Sequence, residues 1–227
     1  MSVIAITGHV GKAPPSLADQ AYNDLRDRLT MLEIRPGDPL NDGQLAAELG
    51  IGRTPVREAI KRLETDHLVV SYPRRGTFAT KVDITELSDV SELRRHLEPL
   101  AAHKAALSAP ADVRRQLRAL VGTLGDLAEG APTRQALLRT DLAVHRLVYR
   151  AAGNAHLEEA LVRLDNLATR IWCLVLDRTP LLSGQVHGHV HEHVDLLEAI
   201  LAGQGERAAH LALQHVADFE KTLRTVL

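Results

Sequence analysis

The chain has 227 residues, a formal net charge of −2, 45% apolar and 25% charged residues, the proportions of an ordinary globular protein of one large or two modest domains. It holds no apolar run near the ~20 residues that a membrane-crossing helix needs, and Met1–Lys12 lacks the charged and apolar regions of a secretion signal. Cys173 is the single cysteine and reads as a small core residue, so disulfide scaffolds are excluded and a reducing cytoplasm is expected.

The net charge argues weakly against a nucleic-acid partner, but its distribution does not. Up to Gly52 the acids outnumber Lys and Arg by seven to four, whereas Arg53–Lys81 carries seven basic residues against three acids. A local basic stretch in a near-neutral chain can form a phosphate-binding face.

In chain order, residues 1–16, with Gly8, Gly11 and Pro14–Pro15, read as a flexible arm. Leu17, Tyr22, Leu25, Leu29 and Leu32 recur with helical period up to Ile34, and Arg35–Pro39 stops that helix. Asn41 and Gln44 suggest a capping box for a short helix ending at Gly50. After the Gly50–Ile51–Gly52 turn, Thr54 is expected to cap a third helix with Pro55 at its first position, running to about Leu63. Leu68–Tyr72 and Thr77–Thr80 are β-prone and separated by Pro73–Gly76, a hairpin signature. Three short helices and a basic hairpin predict a winged helix-turn-helix over residues 17–80. From Asp83 no further strand pattern occurs. Six helical stretches follow, broken near Ala109–Pro110, Gly130–Pro132, Gly153–Asn154, Thr179–Pro180 and Gly203–Gly205. The fold class is therefore mainly α, with an all-α antiparallel six-helix bundle over residues 81–227.

A recognition helix offers its N-terminal side chains to base edges in the major groove, which singles out Arg53, Thr54 and Arg57. Arg suits bidentate contact with guanine, and Thr can meet a base or a phosphate. Arg74, Arg75 and Gly76 at the wing tip would lie beside phosphate or the minor groove. By themselves these charges also fit a solvated surface hairpin.

The run Leu45–Glu64, with Arg35–Pro36–Gly37 before it and Pro73–Phe78 after it, resembles the GntR family of bacterial regulators. That resemblance implies a dimeric winged-helix DNA binder, usually released from its operator by a metabolite. Gly52 stands where the family commonly has Ser or Thr, and Asp66–His67–Leu68 replaces the usual Glu-Gly-Leu. Gly43 falls where some members carry a DNA-contacting Arg, so that contact is not expected here.

The remainder resembles the FCD ligand-binding domain of the FadR-type branch. The resemblance is carried by Glu92–Glu98, Asp141–His145, Ala152–Asn154, Glu192–His193, Glu198–Ile200 and His215. Six helices suggest its VanR-like subgroup. Asp141 and His145 are one turn apart and share a helix face, and His193 and His215 come from two later helices. One carboxylate and three imidazoles suit one divalent ion per chain, Zn(II) or Ni(II) above others, with room left for water or an organic acid. The resemblance implies the same four ligands. His189 shares a face with His193 and is a neighbour or a rival ligand, while His187 and His191 are expected to be exposed.

Arg94 falls where the resemblance implies an inward-facing Arg. It either binds an effector carboxylate or pairs with Glu98, its i,i+4 neighbour. Arg170 and Trp172 also approach this region in sequence, without a fixed direction. His191–Asp195 resembles a zincin motif only superficially, because Asp195 replaces the second His. No phosphate loop, dinucleotide fingerprint or nucleophile elbow is present, so an enzyme is not expected. The expected partners are double-stranded operator DNA, a small carboxylate effector and a second copy of the chain, with no membrane.

Overall fold

The structure, a computed structural model, describes residues 15–130, 132–178 and 183–226. All but the last two residues of the expected arm lie outside this set, as do the side chain of His187 and the break at Thr179–Pro180. The chain divides into two compact units, one running to Arg28 and resuming over Gly37–Thr80, the other comprising Leu29–Pro36 and Lys81 onward.

In the first unit, α1 (Leu17–Thr30) is started by Ser16. Its hydroxyl accepts from the Asp19 N–H at 3.1 Å while the Asp19 carboxylate accepts from the Ser16 N–H at 3.1 Å, a reciprocal capping box. The box expected for α2 (Asp42–Leu49) forms only by half. Asn41 Oδ1 accepts from the N–H groups of Gly43 and Gln44, but the Gln44 side chain turns along the helix to donate to Glu48 at 2.9 Å. Gly50 closes α2 at φ 64°, a left-handed position where glycine has no Cβ penalty.

α3 (Arg53–Thr65) begins earlier than expected. Gly52 is its N-cap and contributes no side-chain hydrogen bond, so Thr54 does not cap the helix and Pro55 sits inside the first turn. That placement costs nothing, because N–H groups of the first turn have no intrahelical acceptor. Val56, Ala59, Ile60 and Leu63 form the buried stripe of α3 and share the unit's core with Ala21, Leu25 and Leu68. β1 (Pro39–Leu40), β2 (Val69–Tyr72) and β3 (Gly76–Ala79) make an antiparallel sheet in the order β1-β3-β2. The register pairs Tyr72 with Gly76 and Val69 with Ala79. A two-residue strand such as β1 shows no alternation, so its sequence looked only like a helix stop.

In the second unit a single 3-10 turn, Ile84–Glu86, leads into α4 (Leu87–Ser108), α5 (Ala111–Glu129), α6 (Arg134–Ala151), α7 (Ala155–Arg178), α8 (Ser183–Leu201) and α9 (Gly205–Val226). These are the six helices expected, counted among the described residues. α4 is central and packs against α6, α7, α8 and α9, while α5 packs against α6 and α8. The bundle core is built from Leu117, Leu124, Val144, Leu161, Ile171, Leu197, Ile200 and similar apolar residues. Among the described residues no helix is long and apolar enough to cross a membrane.

Candidate DNA interface and buried histidine cluster

Arg53, Thr54 and Arg57 are exposed at the start of α3. Asp42, at the start of α2, accepts from both arginines: Oδ1 from Arg53 Nη2 at 2.8 Å, and Oδ2 from Arg57 Nε. These hydrogen bonds hold the Asp42 carboxyl below the usual carboxylate range. The Arg53 guanidinium also lies beside Gly43, where an added Cβ would stand 3.7 Å from it.

At the wing, the Arg75 N–H donates to the Tyr72 carbonyl at 3.1 Å, closing a turn with Pro73 and Arg74 at its centre. Arg74 is at φ 63° and Gly76 at φ 99°. The second central residue of a turn opened by Pro ordinarily is Gly. Arg74 therefore holds an exposed guanidinium on a strained backbone, at a cost of about 1–2 kcal/mol.

The second candidate site lies inside the bundle. α4, α6, α7, α8 and α9 each present polar residues from the stripe that should be apolar: Arg94 and Glu98, Asp141 and His145, Asp165, His193, and His215. All seven are buried, with exposures from 1% to 5%. Buried charges are tolerated only when paired or bound to a cation.

Much of the cluster is paired. Arg94 Nε donates to Glu98 Oε1 at 2.6 Å, Tyr149 donates to the same oxygen at 2.9 Å, and Arg94 Nη2 lies 3.5 Å from His145 Nε2 and 3.9 Å from Asp165. Arg94 therefore pairs with Glu98 through Nε while its Nη2 is turned toward His145 and Asp165. His145 Nδ1 donates to the Asp141 carbonyl at 3.1 Å, and His215 lies with Nδ1 2.9 Å from Glu192 Oε2. An imidazole tied through Nδ1 to a carbonyl or carboxylate has its orientation fixed and its Nε2 left for a metal.

The remainder is not satisfied. His193 Nε2 and Asp165 Oδ2 are buried and have no hydrogen-bond partner. Burial, then the neighbouring His189 and His215, hold the His193 imidazole well below its usual pKa, and burial lowers His215 despite Glu192. Burial raises the Asp165 carboxyl. Asp141 is driven far down: burial opposes this, but His145, His189 and His193 outweigh it. Burial also works against a charged His145, yet Asp165, Asp141 and Glu98 raise its pKa all the same. Glu98 and Asp165 face the Arg94 guanidinium while Asp141 lies beside His145, and this surplus of acids favours positive charge on His145.

The donor atoms of His145, His193 and His215 lie within 4.8 Å of one another, as do those of Asp141, His189 and His193. The four residues singled out in the sequence thus fall into two groups that share His193, and His189 joins the second, its Nε2 2.7 Å from Asp141 Oδ1. His193 and His215 with lowered pKa values, a low-pKa carboxylate and an orphaned Nε2 fit a divalent cation. His191 is exposed. Trp172 stacks on His189 with ring centroids 4.9 Å apart. Arg170 is buried, which lowers its pKa to about 10. Glu98, Tyr149 and Asp165 were not singled out beforehand. Asp165 had a signal, an acid within the apolar stripe of Leu161, Ala168 and Trp172.

The FCD domain family matches residues 89–218, and the family described as bacterial regulatory proteins, gntR family, matches residues 17–79. The chain is 29% identical over 183 residues to a probable D-xylose utilization operon transcriptional repressor of Paenarthrobacter nicotinovorans, covering 81% of this chain and 78% of that protein. It is 25% identical over 198 residues to the HTH-type transcriptional repressor GlaR of Escherichia coli, covering 86% and 90%. Among solved structures, E. coli McbR/YncC superimposes with a TM-score of 0.78 at 22% identity, covering 92% of this chain and 98% of that one, and thereby shares its fold. Both sequence relatives are named as transcriptional repressors, the first as a probable one.

Proposed function

Because the chain belongs to the gntR family of bacterial regulatory proteins and carries an FCD domain, we propose that it is a cytoplasmic, metabolite-responsive repressor. Residues 17–80 grip a near-palindromic operator, and residues 81–227 pair two copies and bind a small organic acid in a metal-containing cavity of the bundle. Two relatives named as repressors favour repression over activation.

The orphaned Nε2 of His193, surrounded by oriented imidazoles and the Asp141 carboxylate, carries the sensing part of this reading. Asp141, His145, His193 and His215 would hold one Zn(II) or Ni(II) ion, ligands that suit a borderline divalent cation. Bound there, the ion would supply a Lewis-acidic anchor for a carboxylate. The chain's own groups do the rest: Glu192 and the Asp141 carbonyl orient the imidazoles, and Arg94 stands as a second cationic anchor.

DNA contact falls to Arg53, Thr54 and Arg57 at base edges and to Arg74, Arg75 and Gly76 at the wing. The dimer rests on α4, where Leu93, Leu100 and Leu107 are 51%, 47% and 64% exposed. They lie seven residues apart along one face, a seam that a second copy can meet with the same seam. The test is twofold. Protein purified without chelator or metal-affinity tag should contain close to one equivalent of a transition metal, and a panel of small organic acids should include one that releases operator DNA in a gel shift. Less than about a tenth of an equivalent, with no uptake on titration, would leave a metal-free cavity.

A further inference from the structure

We propose that His189 is a fifth protein donor to the divalent-cation site, and the one that gives way when the effector brings oxygen donors of its own. This rests on the reading of the cluster as a cation site given above.

Three observations single out His189 from the other imidazoles. First, its Nε2 lies 2.7 Å from Asp141 Oδ1, the same oxygen that stands 3.5 Å from His193 Nε2. Its donor falls with those of Asp141 and His193 in one group, and it sits on α8 one turn before His193, facing the same way. Second, His145 and His215 are anchored from behind through Nδ1, whereas the hydrogen bond described for His189 is made by Nε2, and its ring meets Trp172, His193 and His215 edge-on or tilted, with centroids 4.9, 4.6 and 5.4 Å apart. Third, its side chain is 16% exposed, against 1% for His193 and 4% for His215. The donor nearest solvent and without an Nδ1 anchor among the described contacts is the one able to leave.

Coordination number then links this residue to sensing. On an ion that accepts six donors, five from the protein would leave one position, an acid that chelates through two oxygens would need two, and release of His189 would supply the second. A merely supporting role, in which His189 only orients Asp141, would leave the number of bound imidazoles unchanged.

X-ray absorption of the Zn(II)-loaded full chain counts them. The wild type should show four imidazoles, from His145, His189, His193 and His215, and His189→Ala should show three. Saturating oxalate, used as a chelating probe, should reduce the wild type to three and leave His189→Ala at three, with oxalate bound more tightly by the variant because no imidazole has to be displaced. His189→Phe keeps a ring against Trp172 without a donor nitrogen, so it must reproduce the alanine result if the lost donor, and not the lost ring contact, is the cause. Equal counts in the wild type and both variants would overturn the role of His189 and leave the four-ligand site intact. No Zn(II) uptake by the wild type would overturn both.

Discussion

Asp42 and Arg53 are joined by a 2.8 Å ion pair that spans the helix-turn-helix from the start of α2 to the start of α3. Because Arg57 shares the other carboxylate oxygen, one acid sets the direction of both guanidiniums proposed to meet DNA. At this level of exposure the pairs add little to stability. Their effect should fall on recognition instead. Arg57→Ala should cost about 1–3 kcal/mol on the operator and relax specificity. Asp42→Ala should bring operator and random-sequence affinities closer together, by freeing both arginines and removing a negative charge near phosphate. Titrations of both DNAs at one salt concentration measure this; an unchanged ratio for Asp42→Ala would sink the positioning role.

Loss of the cation should soften the bundle. A ligand bound only by the folded state stabilises it by about 2.7 kcal/mol at 100 times its dissociation constant, which for a chain of this size corresponds to a Tm shift of roughly 5–10 °C. A strong chelator should therefore lower Tm, and His193→Ala should abolish most of that response. His191→Ala, at an exposed position on the same helix, should respond like the wild type. A chelator response that survives in His193→Ala would place the ion elsewhere.

The α4 seam makes its own demand. Leu100→Glu puts a charge in the middle of a stripe whose leucines are half-exposed in the single chain, so folding should survive while pairing fails. Sedimentation should show the wild type as a dimer at micromolar concentration and Leu100→Glu as a monomer with weaker binding to a two-half-site operator. If the variant still sediments as a dimer, the pairing surface lies elsewhere.

One pH dependence follows from the first unit. Tyr22 donates to Asp66 Oδ2 at 2.6 Å, and burial together with that acceptor raises its pKa above the usual value of about 10. As pH climbs past the usual value, unfolded chains lose this proton while folded ones keep it, so stability falls with rising pH. Tyr22→Phe should cost about 0.5–1.5 kcal/mol near neutrality while keeping the ring beneath Arg62, whose Cζ is 4.1 Å from its centroid. Denaturant melts at pH 8 and above 10 should show a shallower alkaline decline in the variant; parallel declines would show that Tyr22 is not responsible.

Where a pattern is local, the sequence was readable. The stripe of Val56, Ala59, Ile60 and Leu63 announces α3, and the spacing of Asp141 and His145 announces a shared face. His67 departs from the glycine usual in the family and stands at φ 60°, which explains in backbone terms why glycine is usual there. What could not be read depends on packing between distant segments. The contact of His189 with Asp141 needs side chains of α6 and α8 to meet in the bundle interior, and the single oxygen of Glu98 that serves both Arg94 and Tyr149 needs α4 beside α6. Start signals misled where two candidates compete within a few residues. Gly52, extended at φ −65° and ψ 155°, took the cap position foreseen for Thr54 although it offers no side-chain hydrogen bond.

The polar middle of the bundle has a consequence for how much regulator a cell contains. A core that gives its central layer to three carboxylates, a guanidinium and several imidazoles forgoes the hydrocarbon that would make it robust when empty. Chains lacking the ion would open more often, and transient opening exposes a protein to proteolysis, so a difference of 1–2 kcal/mol can change abundance about severalfold. Scarcity of the ion would then thin the population of repressor molecules as well as alter their affinity for DNA, relieving the controlled genes by turnover even where no effector is present.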